Sequence, residues 1–316
     1  MNKETVVGAF LKPSSGRRNK TNPQHLIYHS RTYRRGKEWT MTLMVIKTLE
    51  RVSKNYYYII RGEITPMRLE LQMSLLKPQI DTDYRRIVIS YLKFALEHCE
   101  EGRFFEKFYK KRNNINKDYS FSTVFHKPKF TKEKIYFDKN EMKIIFSCSD
   151  QKRTGLIFHT AFLSVLNMKF PLANGNYMML KKIVQKKEVL ITEPVVYFQT
   201  MLGNGLCVRE HDRETNRDLF ITCEDKEFTD KAETIIRNQL QIAGFYKNQY
   251  EDIKIEPVDC KKIVVKHYGI FVDLTVGILK ISGDMNVLQY LYQSGVGSHH
   301  ASGFGALNVV RQGEYE

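Results

Sequence analysis

Cross-linking chemistry is scarce in this chain of 316 residues. The five cysteines, Cys99, Cys148, Cys207, Cys223 and Cys260, are odd in number and widely scattered, and no CxxC pair occurs. That spacing signals neither a disulfide framework nor a zinc site. No HExxH is present and no His/Cys spacing suggests ligands, so no metal ligands and no cofactor are expected. Long apolar runs are also missing: none approaches the ~18 residues of a membrane span. Val6 to Leu11 is too short for a secretory segment, and a soluble, cytoplasmic chain without a membrane partner is the expectation. Acidic residues are outnumbered, 35 against 50 Lys plus Arg, giving 50 − 35 = +15. Such a balance calls for a polyanion, of which nucleic acid is the commonest. Hydrophobic residues at 42% and aromatics at 12% suffice for buried cores, which excludes wholesale disorder.

The charge is uneven. Residues 1–66 hold 13 basic and 4 acidic side chains, 13 − 4 = +9, with little periodicity before Met41. Segments such as Lys12 to Lys20 mix Pro, Ser, Gly, Asn and basic residues, a composition unable to bury a core. Residues 1–66 therefore read as a basic extension outside the fold, with a short helix and strand expected at most within Thr40 to Ile60.

From Met67 the pattern changes. Leu69, Leu71, Met73 and Leu75 alternate with polar residues, as a half-buried strand requires. After Asp81 or Thr82 as a cap, Ile87, Val88, Tyr91, Leu92, Ala95 and Leu96 fall on one helical face, and the helix should end near Cys99. A short helical piece over Phe104 to Lys111, strands at Tyr119 to Phe125, Lys134 to Phe137 and Met142 to Cys148, a helix over Thr154 to Leu166 and a strand at Tyr177 to Val184 follow. The order is β-α-β-β-α-β. The second half repeats it, with strands expected at Val195 to Thr200, Leu219 to Thr222, Lys262 to Tyr268, Leu274 to Ile281 and Ala306 to Val310, and helices over Phe228 to Ile242 and Met285 to Tyr292. This is an α+β chain of two tandem ferredoxin-like domains, 67–188 and 189–316.

The most specific feature is the run Gly295 to Gly305, which reads GxGxxxxxGxG between a helix and a final strand. Glycines at Gly295, Gly297, Gly303 and Gly305 permit positive φ and close approach of a phosphodiester to backbone N–H donors. A dinucleotide loop follows a strand early in a βαβ unit, and a Walker loop needs GK[ST]; this run fits neither.

With this loop closing a second ferredoxin-like unit, the sequence resembles the CRISPR-associated endoribonucleases of the RAMP superfamily that cut precursor CRISPR RNA within each repeat. The resemblance spans about Met67 to Arg311 and rests on DYRR at Asp83 to Arg86, YSFS at Tyr119 to Ser122, VREHD at Val208 to Asp212, VVKHY at Val264 to Tyr268, ILKISGD at Ile278 to Asp284, and above all the glycine-rich end. It implies that RNA lies across the cleft between the domains and on the loop. It also implies metal-independent cleavage leaving a 2′,3′-cyclic phosphate and a 5′-hydroxyl.

Such a cut needs the 2′-hydroxyl deprotonated, the phosphorane stabilised and the leaving oxygen protonated. The resembled enzymes place a general-acid/base histidine after the first helix; here the matching position is Tyr109, with Lys117 at the position of a catalytic lysine and Lys93 near that of a helix tyrosine. Three accounts stay open. Tyr109 with Lys117 acts by orientation and charge, against an unperturbed tyrosine pKa of about 10. Alternatively His98 is the displaced histidine, its imidazole suited to the task, unless it merely caps the first helix. Or the loop pair His299 and His300 reaches the scissile phosphate. Direct RNA contact is expected of His299 and His300, and of Lys181, Lys187 and Lys266 along a shared groove. Arg209 fits RNA contact and structural ion pairing equally. The resemblance implies CRISPR repeat RNA as the partner, with effector-complex subunits as further partners if the chain holds repeats without cutting them.

Overall fold

The computed structural model describes residues 67–109 and 117–314. The extension 1–66 and the Lys110, Lys111, Arg112 run lie outside the described residues. The period-two alternation at the domain start becomes β1 (Met67–Leu75), whose Leu69, Leu71 and Met73 are buried against helices. Then come α1 (Tyr84–Glu97), β2 (Tyr119–Phe125), β3 (Glu141–Cys148), α2 (Thr154–Ser164) and β4 (Tyr177–Lys186). The sheet runs β2-β3-β1-β4, all antiparallel, with the short strand Lys169–Pro171 added at one edge. Tyr119, Phe146, Phe158 and Phe162 interlock beneath α2 with ring centroids 4.7 to 5.7 Å apart.

The second unit has the same plan. β5 (Val195–Thr200), α3 (Phe228–Ala243), β6 (Lys254–His267), β7 (Ile270–Ser282), α4 (Met285–Ser294) and β8 (Leu307–Gln312) form a sheet of order β6-β7-β5-β8. In both sheets the first and third strands are central and the second and fourth lie at their flanks. That is the ferredoxin-like arrangement, made twice in tandem.

Several expected boundaries move. Asp83, not Asp81 or Thr82, is the N-cap of α1, and its side chain makes no capping hydrogen bond. The helical piece after α1 is Phe105–Tyr109. The strand expected at Leu219 to Thr222 is Arg217–Ile221, and it pairs with Val208–Asp212 in a separate two-stranded hairpin rather than in the main sheet. β6 begins at Lys254, eight residues before the expected start, because an edge strand exposed on both faces needs no apolar alternation. A register shift between Pro257 and Asp259 interrupts it, and Gly277 on β7 takes φ +135° opposite, where a Cβ would overlap the Asp259 carbonyl.

Two buried arginines tie the units together. Arg68 on β1 donates to Asn308 Oδ1 at 2.9 Å and to the Leu307 carbonyl at 2.8 Å, and its guanidinium lies 4.4 Å from the Tyr292 ring centroid. Arg85 on α1 donates to the carbonyls of Gly203 at 2.8 Å and Gly303 at 3.2 Å, stacked between Tyr84 and Phe304. Asn204 completes the seam by donating to the carbonyls of Phe121 and Gly303, both at 2.8 Å. Buried donors with full partners fix one geometry, since a misaligned guanidinium would lose several charge-assisted bonds at once.

Candidate functional site

The short helix Phe105–Tyr109 and the start of β2 bring two tyrosines together: the hydroxyls of Tyr109 and Tyr119 lie 2.7 Å apart. Lys117 enters from the segment just before β2, its Nζ 4.4 Å from the Tyr109 ring centroid, and Lys93 from α1 places its Nζ 5.0 Å from the same centroid. Among the described residues, neither lysine has a carboxylate partner. Burial pushes the Tyr109 hydroxyl above its ordinary pKa, and the fully buried Tyr119 further still. Burial, reinforced by the neighbouring Lys93 charge, lowers the pKa of Lys117.

The glycine-rich loop meets this cluster from the second unit. His300 sits with its Nδ1 3.1 Å from the Tyr119 carbonyl and 3.0 Å from the Ser294 carbonyl. Burial lowers its pKa, the two carbonyls oppose that, and the nearby charges of His299 and Lys117 lower it further. The cluster thus brings together four of the residues expected from sequence, Tyr109, Lys117, Lys93 and His300. It also contains Tyr119, which the sequence marked only as a strand residue. Tyr268, at the β6–β7 turn, lies close enough to perturb the titration of both tyrosines. Nothing in the period-two pattern around Tyr119 separates it from a core residue, and Tyr268 was marked only as the last residue of the VVKHY strand.

Three expectations are corrected. His98 stands at the C-cap of α1, where its Nδ1 is 2.8 Å from the Phe94 carbonyl and its ring 4.1 Å from that of Phe94; it caps its own helix and takes no part in the cluster. Tyr109 does not fit a base, because burial moves its pKa away from neutrality. The glycines do not offer their amides to a phosphodiester: all four are buried and already spent as donors. Gly295 donates to Leu291, Gly297 to Gln239 Oε1, Gly303 to His300 and Gly305 to Gly205. Their small size serves packing, since a Cβ at Gly295 would stand 2.7 Å from Ser120 Cβ and one at Gly303 2.5 Å from the Phe121 ring, both at positive φ. The loop clasps the two units, and Gln239 on α3 locks it by also donating to the Gly295 carbonyl at 2.8 Å.

The remaining residues lie apart from the cluster. His299 is exposed at the loop tip in the left-handed region, φ +57°. Arg209 pairs with Asp218 at 2.7 Å across its hairpin, the ion-pairing alternative, and holds that carboxylate down at about 2 together with His211. Lys181 is exposed, donates to Asn167 Oδ1 at 3.2 Å, and lines a groove of about 530 Å³ with Gln72, Lys139 and Lys143. Lys187 is exposed just after β4, and Lys266 is exposed on β6 opposite Phe271. Among the described residues no group of three or more His, Cys, Asp or Glu side chains could hold a metal ion, and no helix is long and apolar enough to cross a membrane.

Tandem ferredoxin-like units, clasped here by a glycine-rich loop, form a fold shared with solved Cas6 and RAMP structures. Residues 184–309 match the family model described as CRISPR associated protein Cas6, C-terminal. That match spans 126 of the 316 residues, and over it the chain is similar to the CRISPR-associated Cas6 family. Among solved structures, a Cas6-related protein from Pyrococcus furiosus is similar over 79% of this chain and 100% of its own, at 16% identity and a TM-score of 0.66. A RAMP protein described as binding different RNA substrates reaches 0.65 at 18% identity, with 78% of this chain and 100% of that chain covered. A further CRISPR-associated Cas6 reaches 0.61 at 14% identity over the same shares. At these identities the likeness is one of fold. No curated protein matches the chain.

Proposed function

We propose that the chain is a metal-independent endoribonuclease that cuts CRISPR precursor RNA within its repeats, leaving a 2′,3′-cyclic phosphate and a 5′-hydroxyl, and so makes guide RNA. The observation that carries this reading is the placement of Lys93 and Lys117 over one tyrosine ring at the seam of the two units, with no carboxylate partner among the described residues. Two uncompensated ammonium groups that repel each other form an anion site, and a scissile phosphate entering between them would relieve that repulsion. In the dianionic phosphorane the same charges gain more than in the ground state, which is how such a site accelerates cleavage. Tyr109 holds the lysines by their cation–π contacts and is itself held by Tyr119. The match of residues 184–309 to the Cas6 C-terminal family model and the RNA substrates named for a similar RAMP structure support RNA as the polyanion.

The test is incubation of the full chain with labelled repeat RNA in EDTA. Cleavage with the stated end groups is expected, and Lys117→Ala should slow it. Retarded but uncut RNA would make the chain a repeat-holding subunit instead; cleavage only on adding Mg²⁺ would overturn the mechanism.

A further inference from the structure

Cleavage of this kind requires a group that accepts the 2′-hydroxyl proton near neutral pH, and the N-terminal half of the cluster has none. Tyr109 and Tyr119 are pushed the wrong way by burial. His98 is bound up with Phe94, His126 lies 4.0 Å from Asp138, and His267 is buried against Phe304. Among the described residues, the one imidazole that touches the cluster comes from the second unit.

We propose that His300 is the general base of this site, taking the 2′-hydroxyl proton at Nε2, so that the active site is assembled from both ferredoxin-like units. The proposal rests on the functional reading above. Its geometry is specific about which nitrogen acts. Nδ1 faces two groups, the carbonyls of Tyr119 and Ser294, and both are acceptors without a proton to give. Nδ1 must therefore carry the hydrogen and share it between them. In the neutral ring the lone pair is then fixed on Nε2, the atom left for substrate. The seat is made by packing: a Cβ on Gly295 would come within 3.2 Å of His300 Cβ, so glycine at that position is what lets the ring dock against β2.

The surroundings keep the ring neutral until substrate arrives. The titratable groups that face it are Lys117 from the segment before β2, His299 from its own loop and Tyr119 from β2; Lys93, Tyr109 and Tyr268 complete the shell behind them. None of these is a carboxylate; the Tyr119 and Ser294 carbonyls favour the imidazolium, and burial outweighs them. Burial and the adjacent cations lower the pKa of His300, in keeping with a ground-state base.

The step balances with groups present. The 2′-hydroxyl proton moves to His300 Nε2 as the 2′-oxygen bonds to phosphorus; the phosphorus–O5′ bond breaks, and the Lys117 ammonium gives its proton to O5′. The products are a cyclic phosphate and a 5′-hydroxyl, leaving imidazolium and free amine to re-equilibrate with water. A lowered pKa makes Lys117 the better acid of the two lysines.

The test uses His300→Asn in the full chain, because the asparagine amide nitrogen can replace Nδ1–H toward the two carbonyls while Nε2 is lost. Single-turnover cleavage should fall by roughly 10²–10⁴-fold with RNA binding retained, and the acidic limb of the pH–rate profile should vanish. In parallel, ¹⁵N-histidine spectra of the wild-type chain should show His300 as the neutral Nδ1–H tautomer at pH 7. A wild-type pH profile in His300→Asn, or an Nε2–H tautomer, overturns the proposal even if the chain cuts repeats. Failure of the wild-type chain to cut overturns the functional reading, and this proposal with it. Should His300→Asn fail to fold, the tautomer in the wild-type chain decides.

Discussion

Tyr109 and Tyr119 share one hydrogen bond between their hydroxyls, 2.7 Å long, at the point where two lysines and a histidine converge. Tyr119 is fully buried, so Tyr109 is what keeps its hydroxyl satisfied. Tyr109→Phe should destabilise the fold by about 1–3 kcal/mol, because it leaves a buried hydroxyl unpaired, and Tyr109→Phe with Tyr119→Phe should recover much of that loss. Urea unfolding of the two singles and the double checks it. Cleavage by Tyr109→Phe should keep its acidic pH limb, since Tyr109 is a support and not the base.

Lys93 and Lys117 differ in what their loss should do. Lys117→Ala should slow the chemical step by at least about 10²-fold with little change in RNA affinity. Lys93→Ala should weaken binding and reduce the slope of log K against log salt by about 1, as for one lost phosphate contact. Because the Lys93 charge lowers the pKa of Lys117, its removal should also move the alkaline limb of the pH–rate profile upward. A downward shift would count against the electrostatic coupling.

The buried seam gives a stability prediction independent of RNA. Arg85→Ala removes one of two donors from each of the Gly203 and Gly303 carbonyls, leaving Tyr84 and Asn204, and empties the slot between Tyr84 and Phe304. Breaking such a buried charged network costs about 2–5 kcal/mol. Gly303→Ala should also destabilise, through the collision with Phe121 and strain at φ +88°. Thermal unfolding of each variant is the check.

His267 supplies a pH dependence. Burial first, and then the charges of Arg85 and His299, hold its folded pKa down at about 4. A base with a depressed folded pKa is more readily protonated when unfolded, so stability is complete above the unfolded pKa near 6.5 and is lost as pH falls from there toward 4. The ceiling of that loss is about 3 kcal/mol at about 1.4 kcal/mol per pH unit. His267→Leu should flatten the slope at little cost, because its Nδ1 already lacks a hydrogen-bond partner. An unchanged slope between pH 6.5 and 4 would contradict it.

The double β-α-β-β-α-β order was legible in the sequence because most of its strands carry apolar residues bounded by turn signals. β6 was read eight residues short because an exposed edge strand carries charges on both faces. The hairpin Val208–Asp212 with Arg217–Ile221 was mistaken in part for a sheet strand, since a strand pattern says nothing about its partner. In the site, Lys117 and Tyr109 were found by position relative to YSFS. The glycines were found too, but for the wrong physical reason: buried contacts to Ser120 and Phe121, far away in sequence, decide what Gly295 and Gly303 do. Arg85 and Asn204 carried no local sign that their side chains bridge two units.

The central claim is that the lysine and tyrosine cluster at the seam cuts repeat RNA. Its most direct test is single-turnover cleavage of end-labelled repeat RNA in EDTA by the wild-type chain and Lys117→Ala, with the product ends identified. The account predicts one cut within the repeat, a 2′,3′-cyclic phosphate, and at least about 100-fold slower cutting by Lys117→Ala at similar affinity. Bound but intact RNA with the wild-type chain, or equal rates for the two proteins, would contradict it.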